Sequence, residues 1–217
     1  MIAVIVPAHN EAEHLGSCLR ALKLAARNVE RLGEVVQILV VLDQCSDASH
    51  AIAVAHGVRT LSINARNVGM ARRAGASLML ENGARWLACT DADGCVPPDW
   101  LICQLAFRAD AVCGTVHVEQ WQAHQDARLR QRYQLHYQAR ENHRHIHGAN
   151  LGICAKAYQR AGGFQPLPLD EDVQLVNDLQ QSGARIVWTA RNSVSTSSRG
   201  DCRVEGGFGD FLKALAT

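Results

Sequence analysis

Four segments that read as strands, each followed by a segment with helical character, limit what this chain can fold into. They cover residues 2–6, 35–42, 58–63 and 86–90, and the first of them is a continuous apolar run. Such runs are typical of strands that are buried on both faces. Strands that alternate with helices predict a parallel sheet with helices on both of its faces. We therefore expect an α/β fold with one mostly parallel sheet in a single domain.

The second half of the chain has a less regular pattern. Residues 111–119 alternate like a strand, and residues 126–140 and 172–181 each have one apolar helical face. A last short strand is expected over residues 185–188. The residues beyond it are rich in Ser, Gly and charge and have no clear period, which predicts a flexible tail over residues 191–217.

Composition excludes some classes of function. The formal net charge of +1 gives no general attraction to nucleic acid or to an anionic membrane. No apolar run reaches the roughly eighteen residues that a transmembrane helix needs. The eight cysteines include no Cys-x-x-Cys pair, and several lie in apolar runs. This pattern is typical of reduced thiols and predicts a cytoplasmic protein without a transmembrane segment.

Two acids, Asp91 and Asp93, follow the fourth predicted strand in the sequence "LACTDADG". In an extended segment residues i and i+2 point the same way, so the two carboxylates are expected to converge. Mg²⁺ and Mn²⁺ are commonly held by one or two carboxylates together with substrate phosphates. A divalent cation would supply the positive charge that such a pair requires. The alternative is an ordinary strand-end turn, because Asp and Gly are both turn residues.

Polar residues also follow the first three predicted strands, and parallel strands bring such residues to one edge of a sheet. Asn10 and Glu11 follow the first strand, and Asp43 ends the second. An acid at the position of Asp43 can accept hydrogen bonds from a ribose or a base, or can cap a turn. Arg66, Arg72 and Arg73 surround a glycine loop, and Arg72 and Arg73 fall in the first turns of a predicted helix, where an anion would be favoured. A solvated basic face is the alternative for these two arginines.

Three consecutive acids, Asp170, Glu171 and Asp172, begin the predicted helix over residues 172–181. Acids in a first helical turn complement the helix dipole, which is the simpler interpretation. The functional interpretation is a general base, because neighbouring acids raise the pKa of any one of them.

Three histidines alternate in the sequence "HRHIHG". In a strand they would share one face and could bind a metal ion. We interpret His143 and His145 as surface residues at a helix end. His147, next to the "GAN" segment, is kept as a candidate metal ligand.

Taken in order, these motifs resemble glycosyltransferase family 2, whose members have the GT-A fold. The matching segments are "IVPAHNE", "VVLDQCSDAS", "NVGMARRAG", "WLACTDADGCVPPDWL", "GANLGICAKAYQRAGGF" and "LDEDVQLVNDLQQSG". The resemblance implies a Rossmann-like GT-A domain over residues 1–190, with residues 191–217 as a tail that closes over the donor site. It also implies transfer of a sugar from a nucleotide-diphosphate donor, commonly linked to UDP, to a hydroxyl acceptor that the sequence does not identify.

The resemblance also implies roles for individual residues of this chain. The nucleotide-sugar would be bound by Pro7, Ala8, Asn10, Glu11, Asp43, Arg72 and Asp91, with Arg199 and Arg203 of the tail folding over the diphosphate. Mn²⁺ or Mg²⁺ would be held by Asp93 and Asp91, with His147 as a further candidate. Asp172 would be the catalytic base of an inverting transfer, supported by Glu171. His9 departs from the family pattern, because many members have a small or hydroxyl residue there.

Two other interpretations fit part of the sequence. "LACTDADGCV" also looks like the motif of haloacid dehalogenase-type phosphatases, in which Asp91 would be the nucleophile and Asp93 an acid. That interpretation requires Lys156 as the downstream lysine. The second alternative is a protein that binds nucleotide-sugars or partners without catalysis, because a fold alone does not establish activity.

Overall fold

The computed structural model describes residues 1–119, 121, 125, 127–198 and 210. Its strands are β1 (Ile2–Ala8), β2 (Val36–Asp43), β3 (Arg59–Ile63), β4 (Trp86–Cys89), β5 (Ala111–Val118), β6 (Leu151–Cys154) and β7 (Ile186–Thr196). Its helices are α1 (Leu15–Glu30), α2 (Ser49–Ala55), α3 (Val68–Glu81), α4 (Trp100–Ala106), α5 (Ala127–His136), α6 (Ala155–Arg160) and α7 (Glu171–Gln181). A short 3-10 turn, Gly148–Asn150, precedes β6.

All seven of these strands join one sheet, in the order β3-β2-β1-β4-β6-β5-β7. β1 runs parallel to both β2 and β4, and β2 runs parallel to β3. β6 is antiparallel to both of its neighbours, while β5 and β7 are parallel to each other. The predicted α/β fold with a mostly parallel sheet is confirmed.

The side chains of β1 show why helices cover both faces of the sheet. Ile2, Val4 and Val6 point into one apolar core, together with residues of α1, α2 and α4. Ala3 and Ile5 point into a second core, which α3, α6 and α7 cover. All five side chains are completely buried, and each buried Val or Ile stabilises the fold by about 1.5–3 kcal/mol.

The helix α3 lies close against the sheet because Gly75 has no side chain. A Cβ atom on Gly75 would lie 2.8 Å from a methyl carbon of Ile5 and 2.9 Å from a methyl carbon of Val41. Both neighbours are β-branched and have little freedom to rotate away. This close packing fixes the height of α3 above the strand ends, and α3 carries Arg72.

The strand β7 is longer than the sequence predicts. It continues to Thr196, and its second half pairs in parallel with residues 115–118 of β5. The sequence pattern alone predicts only residues 185–188, because residues 189–196 have no apolar alternation and their pairing depends on the position of β5. The boundary predicted at residue 190 therefore falls inside a strand.

The helix α5 is shorter than predicted, since it ends at His136 rather than near residue 140. In the part of the chain that the structure describes, no helix is both long and apolar enough to cross a bilayer. Seven cysteines lie in that part, and all of them are free thiols. Cys202 is outside it.

We expect Gly75→Ala to destabilise the protein by about 1–3 kcal/mol, because the new methyl group overpacks the contact between α3 and the sheet. Urea denaturation measures this change. Gly16→Ala is the matched control, because its added Cβ would meet atoms only at 3.6 Å or beyond. There the better helix propensity of Ala is expected to stabilise the protein by roughly 0.5–1 kcal/mol. Equal effects of the two substitutions would contradict the packing argument.

Candidate active site

The loops that follow β1, β2 and β3 meet at the carboxyl edge of the sheet. Each contains a non-glycine residue with positive φ: Asn10 at 53°, Gln44 at 51° and Arg66 at 47°. Asn tolerates this left-handed conformation, but Gln and Arg rarely adopt it. Such strain persists only where surrounding contacts hold it, and it is concentrated at functional sites.

Side-chain contacts fix the loop after β1 against the loop after β2. The Asn10 side-chain oxygen accepts a hydrogen bond from the Ser46 backbone N–H at 2.8 Å. The Glu11 N–H donates to the Ser49 hydroxyl at 2.9 Å, and the Ala12 N–H donates to Asp47 at 2.9 Å. These contacts bring Asn10 and the buried Glu11 to the predicted nucleoside side of the edge.

The first two predicted pocket residues, Pro7 and Ala8, form the end of β1. Pro7 is partly buried, and Ala8 is 3% exposed. The Ala8 carbonyl accepts a hydrogen bond from the Cys45 thiol at 3.2 Å. This contact joins the end of β1 to the loop after β2.

The Asp43 carboxylate organises the loop after β3. It accepts backbone N–H bonds from Ala65 at 2.7 Å, Arg66 at 2.9 Å and Asn67 at 2.8 Å. A carboxylate offers about four lone-pair directions, so these donors occupy three of them. Asp43 is only 4% exposed. The hydrogen bond to the Arg66 N–H also offsets the strain of that left-handed residue.

Arg72 lies at the centre of the candidate site. Its guanidinium is 4% exposed, and it forms an ion pair with Asp91 at 2.5 Å and a second ion pair with Glu171. The backbone of Gly148 packs directly against this guanidinium, and only glycine fits there, because a Cβ atom would lie 2.5 Å from the guanidinium carbon. Arg72 therefore joins α3, the end of β4 and the start of α7.

The two aspartates of the "DADG" segment lie in a turn, so the prediction of an extended segment is wrong. Both still lie near the buried Cys18 thiol. The pKa of Cys18 is raised well above its ordinary value by burial, then by the charges of Cys95, Asp93, Asp91 and Glu11. Glu11, Asp91 and Asp93 thus cluster at the same edge, and Arg72 supplies a positive charge next to Asp91.

Asp172 is partly buried at the start of α7 and accepts two backbone hydrogen bonds. The Gly148 N–H donates to one carboxylate oxygen at 2.5 Å, and the Val173 N–H donates to the other at 2.8 Å. Burial raises the pKa of Asp172 above its ordinary value, and the charge of Asp91 adds to this. Arg72 and the two N–H donors act in the opposite direction, but the net shift is upward.

His147 contacts the Tyr137 hydroxyl through its Nε2 atom at 2.9 Å. The same hydroxyl accepts a hydrogen bond from the Val116 N–H at 3.0 Å. Burial and the neighbouring His145 and His143 lower the pKa of His147 to about 3, so its ring is neutral at physiological pH. Within the described residues, no group of three or more His, Cys, Asp or Glu side chains is arranged to hold a metal ion.

The prediction that His143 is a surface residue is wrong, since it is only 4% exposed. Its ring stacks with that of His145 at 5.4 Å, and its Nε2 atom contacts the Thr189 carbonyl at 3.3 Å. His145 stacks in turn on Tyr137 at 4.3 Å. His145 also stacks with His147 at 6.1 Å. The three histidines therefore form one aromatic stack, a tertiary arrangement that their spacing in the sequence does not reveal.

Arg199 and Arg203, the predicted tail ligands, lie outside the described residues. The strand that precedes them ends beside the aspartate turn, because Cys95 and Ser195 exchange two backbone hydrogen bonds at 2.9 Å and 3.0 Å. The chain therefore leaves β7 close to Asp93.

Lys156 lies away from the aspartates. It follows β6, and β6 runs antiparallel to β4, so that Cys154 is opposite Trp86 at the start of β4. Asp91 comes after the other end of β4. The lysine that the phosphatase interpretation requires is therefore at the wrong edge of the sheet.

Sequence reasoning missed two contributors to this geometry. Gly148 provides both the flat surface against Arg72 and an N–H donor to Asp172. His9 joins the ends of β1 and β2, because its Nδ1 atom contacts the Asp43 carbonyl at 2.7 Å. The glycine in "GAN" is a signal for close backbone approach, whereas the contact of His9 has no counterpart in the sequence pattern.

The sequence profile of glycosyl transferase family 2 matches residues 3–162, and the chain belongs to this family. Among curated proteins, no sequence matches the chain.

Solved structures of glycosyltransferases have the same fold. S. aureus TarS in a fragment crystallised with UDP-GlcNAc superposes with a TM-score of 0.70 at 13% identity, over 95% of this chain and 61% of that one. Glucosyl-3-phosphoglycerate synthase from Mycobacterium tuberculosis, in complex with Mn²⁺, UDP and glucosyl-3-phosphoglycerate, gives 0.63 at 16% identity, over 100% of this chain and 76% of that one. In another TarS structure the match covers 36% of the TarS chain, so this chain is much shorter than TarS.

We expect Arg72→Met to destabilise the protein by about 3–5 kcal/mol at neutral pH, because it leaves the buried Glu171 carboxylate without its partner. Thermal and urea unfolding measure this loss. Arg85→Met is the control, because the Arg85–Glu34 pair is exposed and worth only about 0–1 kcal/mol. Equal losses in the two variants would contradict the central role of Arg72.

Proposed function

We propose that this protein is a metal-dependent, inverting glycosyltransferase that uses a UDP-linked sugar and a hydroxyl acceptor. The observation that carries the proposal is the cluster around Arg72. Arg72 forms ion pairs with Asp91 of the "DADG" turn and with Glu171, which precedes Asp172. These residues lie at the edge where the loops after β1, β2 and β3 also meet. Open α/β sheets bind their ligands at this edge.

The proposed nucleoside pocket is lined by Pro7, Ala8, Asn10, Glu11 and Asp43. A uridine donor is supported by the two solved neighbours, since the TarS fragment is bound to UDP-GlcNAc and the mycobacterial synthase to UDP. The loops of this chain are already fixed by their mutual hydrogen bonds. A pre-formed pocket reduces the entropy that binding must overcome.

Asp91 and Asp93 suit Mn²⁺ or Mg²⁺, because such ions are commonly held by two carboxylates and the oxygens of a diphosphate. The structure brings both acids to one turn, and the ion pair with Arg72 fixes the orientation of Asp91. When bound, the cation would neutralise charge that develops on the departing diphosphate. His147 is a weaker candidate ligand, since its Nε2 atom already contacts Tyr137.

Asp172 is the proposed general base. Its raised pKa makes its carboxylate a better proton acceptor than an ordinary Asp, and partial exposure leaves it accessible. In the proposed step, Asp172 removes the proton from the acceptor hydroxyl. The oxygen then attacks the anomeric carbon opposite the leaving diphosphate, which inverts that centre. Glu171 acts through Arg72, whose orientation it fixes.

The tail beyond residue 198 is proposed to close over the diphosphate with Arg199 and Arg203. Support comes from the end of β7, which lies beside the aspartate turn. Free thiols at the seven described cysteines are in keeping with a proposed cytoplasmic location.

The first test is calorimetric titration of the protein with UDP and with GDP, each with and without Mn²⁺. We expect UDP to bind more tightly with Mn²⁺, and Asp93→Ala to remove that gain. Asp99→Ala is the matched control, because Asp99 is an exposed acid on the same segment. A ligand at about 100 times its dissociation constant should also stabilise the fold by roughly 2.7 kcal/mol.

Two outcomes of this titration would count against the proposal. Tighter binding of GDP than of UDP would indicate that the donor carries guanine rather than uracil. Failure of both nucleotides to bind would remove the donor site, and failure to turn over any nucleotide-sugar would favour a binding protein without catalysis.

We expect Asp172→Asn to lower transfer or donor hydrolysis by roughly 10²–10⁴-fold while leaving the affinity for UDP unchanged, because the amide cannot accept the proton. Rate assays and calorimetry on the same preparation separate the two effects. Asp170→Asn is the control, because Asp170 is exposed and its φ of 58° suits Asn. Parallel loss of activity and UDP affinity in a folded Asp172→Asn variant would contradict its assignment as the base.

A further inference from the structure

We propose that His9 reads the base of the donor, by accepting a hydrogen bond from the imide N–H of uracil at its Nε2 atom. This inference rests on the proposed function. It assigns the choice of base to a residue that departs from the family pattern, rather than to the carboxylate of Asp43.

The protonation of the His9 ring follows from its contact with β2. Its Nδ1 atom lies 2.7 Å from the Asp43 backbone carbonyl, which can only accept a hydrogen bond. The proton must therefore be on Nδ1, and in the neutral ring Nε2 carries a lone pair. Among the described residues, no group occupies Nε2.

The position of His9 suits a role in base recognition. It is the first residue after β1, it is partly exposed, and its ring spans the ends of β1 and β2. The next residue, Asn10, is fixed in a left-handed conformation and bonded to Ser46. One ring nitrogen is thus held by β2 and the following residue is fixed by Ser46, which restricts His9 to a position beside the residues of the proposed nucleoside pocket.

The Asp43 carboxylate is poorly placed for the same role. Three backbone N–H groups already bond to it, and it is only 4% exposed. Asp43 therefore acts twice as a positioning residue. Its carboxylate shapes the loop after β3, and its carbonyl sets the proton on His9.

The test compares UDP with 3-methyl-UDP, in which a methyl group replaces the imide proton. Calorimetric titrations in Mn²⁺ buffer would use wild type, His9→Ala and His14→Ala. His14 is the matched control, because it is a partly exposed histidine five positions along, at the start of α1, outside the proposed pocket.

We expect methylation to weaken binding to wild type and to His14→Ala roughly tenfold, the usual scale of one lost hydrogen bond. His9→Ala should bind UDP roughly tenfold more weakly and should no longer distinguish the two nucleotides. A merely structural role for His9 would weaken both nucleotides equally and leave the discrimination in place.

The outcomes separate this inference from the function on which it rests. If wild type binds UDP but discrimination persists in His9→Ala, the role of His9 is wrong and the uridine donor stands. If wild type accepts both nucleotides equally, the imide proton is not read and this inference is again overturned. If neither nucleotide binds to wild type, the proposed uridine donor fails, and the inference fails with it.

Discussion

The buried guanidinium of Arg72 is the interaction on which the candidate site depends. A buried carboxylate such as Glu171 is costly without a partner, and Arg72 pairs with it and with Asp91 at the same time. The planar, permanently charged fork of Arg suits this double contact, which a Lys cannot reproduce. The site is held together from three distant parts of the chain, because α3, the turn after β4 and the start of α7 all meet at this side chain. Gly75 and Gly148 make the arrangement possible, since one lets α3 approach the sheet and the other leaves room for the guanidinium.

Asp172 gains its chemical character from the same cluster. Its neighbours exert opposing effects, since burial and Asp91 favour the protonated form, whereas Arg72 and two N–H donors favour the carboxylate. The balance raises the pKa without enclosing the side chain completely. The Gly148 N–H contacts Asp172 at 2.5 Å and fixes the orientation of its carboxylate, although this bond by itself lowers the pKa. The net upward shift of the pKa, which burial causes, is what favours the base interpretation over the simpler one.

The sequence was sufficient to predict the parallel strands β1, β2 and β4, because strands that are buried on both faces leave a strong apolar signal. It also brought Asn10, Asp43 and Asp91 to one edge, since the ends of parallel strands converge, whereas Asp172 was assigned to the site only through the family resemblance. It failed where structure depends on distant partners. The second half of β7 forms by pairing with β5, and His143 is buried by its stacking neighbours, so neither has a local signature. The ion pairs of Arg72 also join residues that are distant in the sequence. The sequence predicted only that an anion would lie near this arginine, not that Asp91 and Glu171 would pair with it.

Charge balance connects the cluster to the proposed donor. Three acids, Asp91, Glu171 and Asp172, lie around Arg72, which forms ion pairs with the first two of them. A single guanidinium carries one positive charge, which is less than the charge of two ionised carboxylates. A diphosphate that approached Asp91 would therefore be repelled, because like charges at short range cost several kcal/mol in a partly desolvated site. A divalent cation between the carboxylate and the diphosphate would turn this repulsion into attraction. This is the electrostatic reason for the proposed dependence on Mn²⁺ or Mg²⁺, and it applies to donor binding before any chemical step.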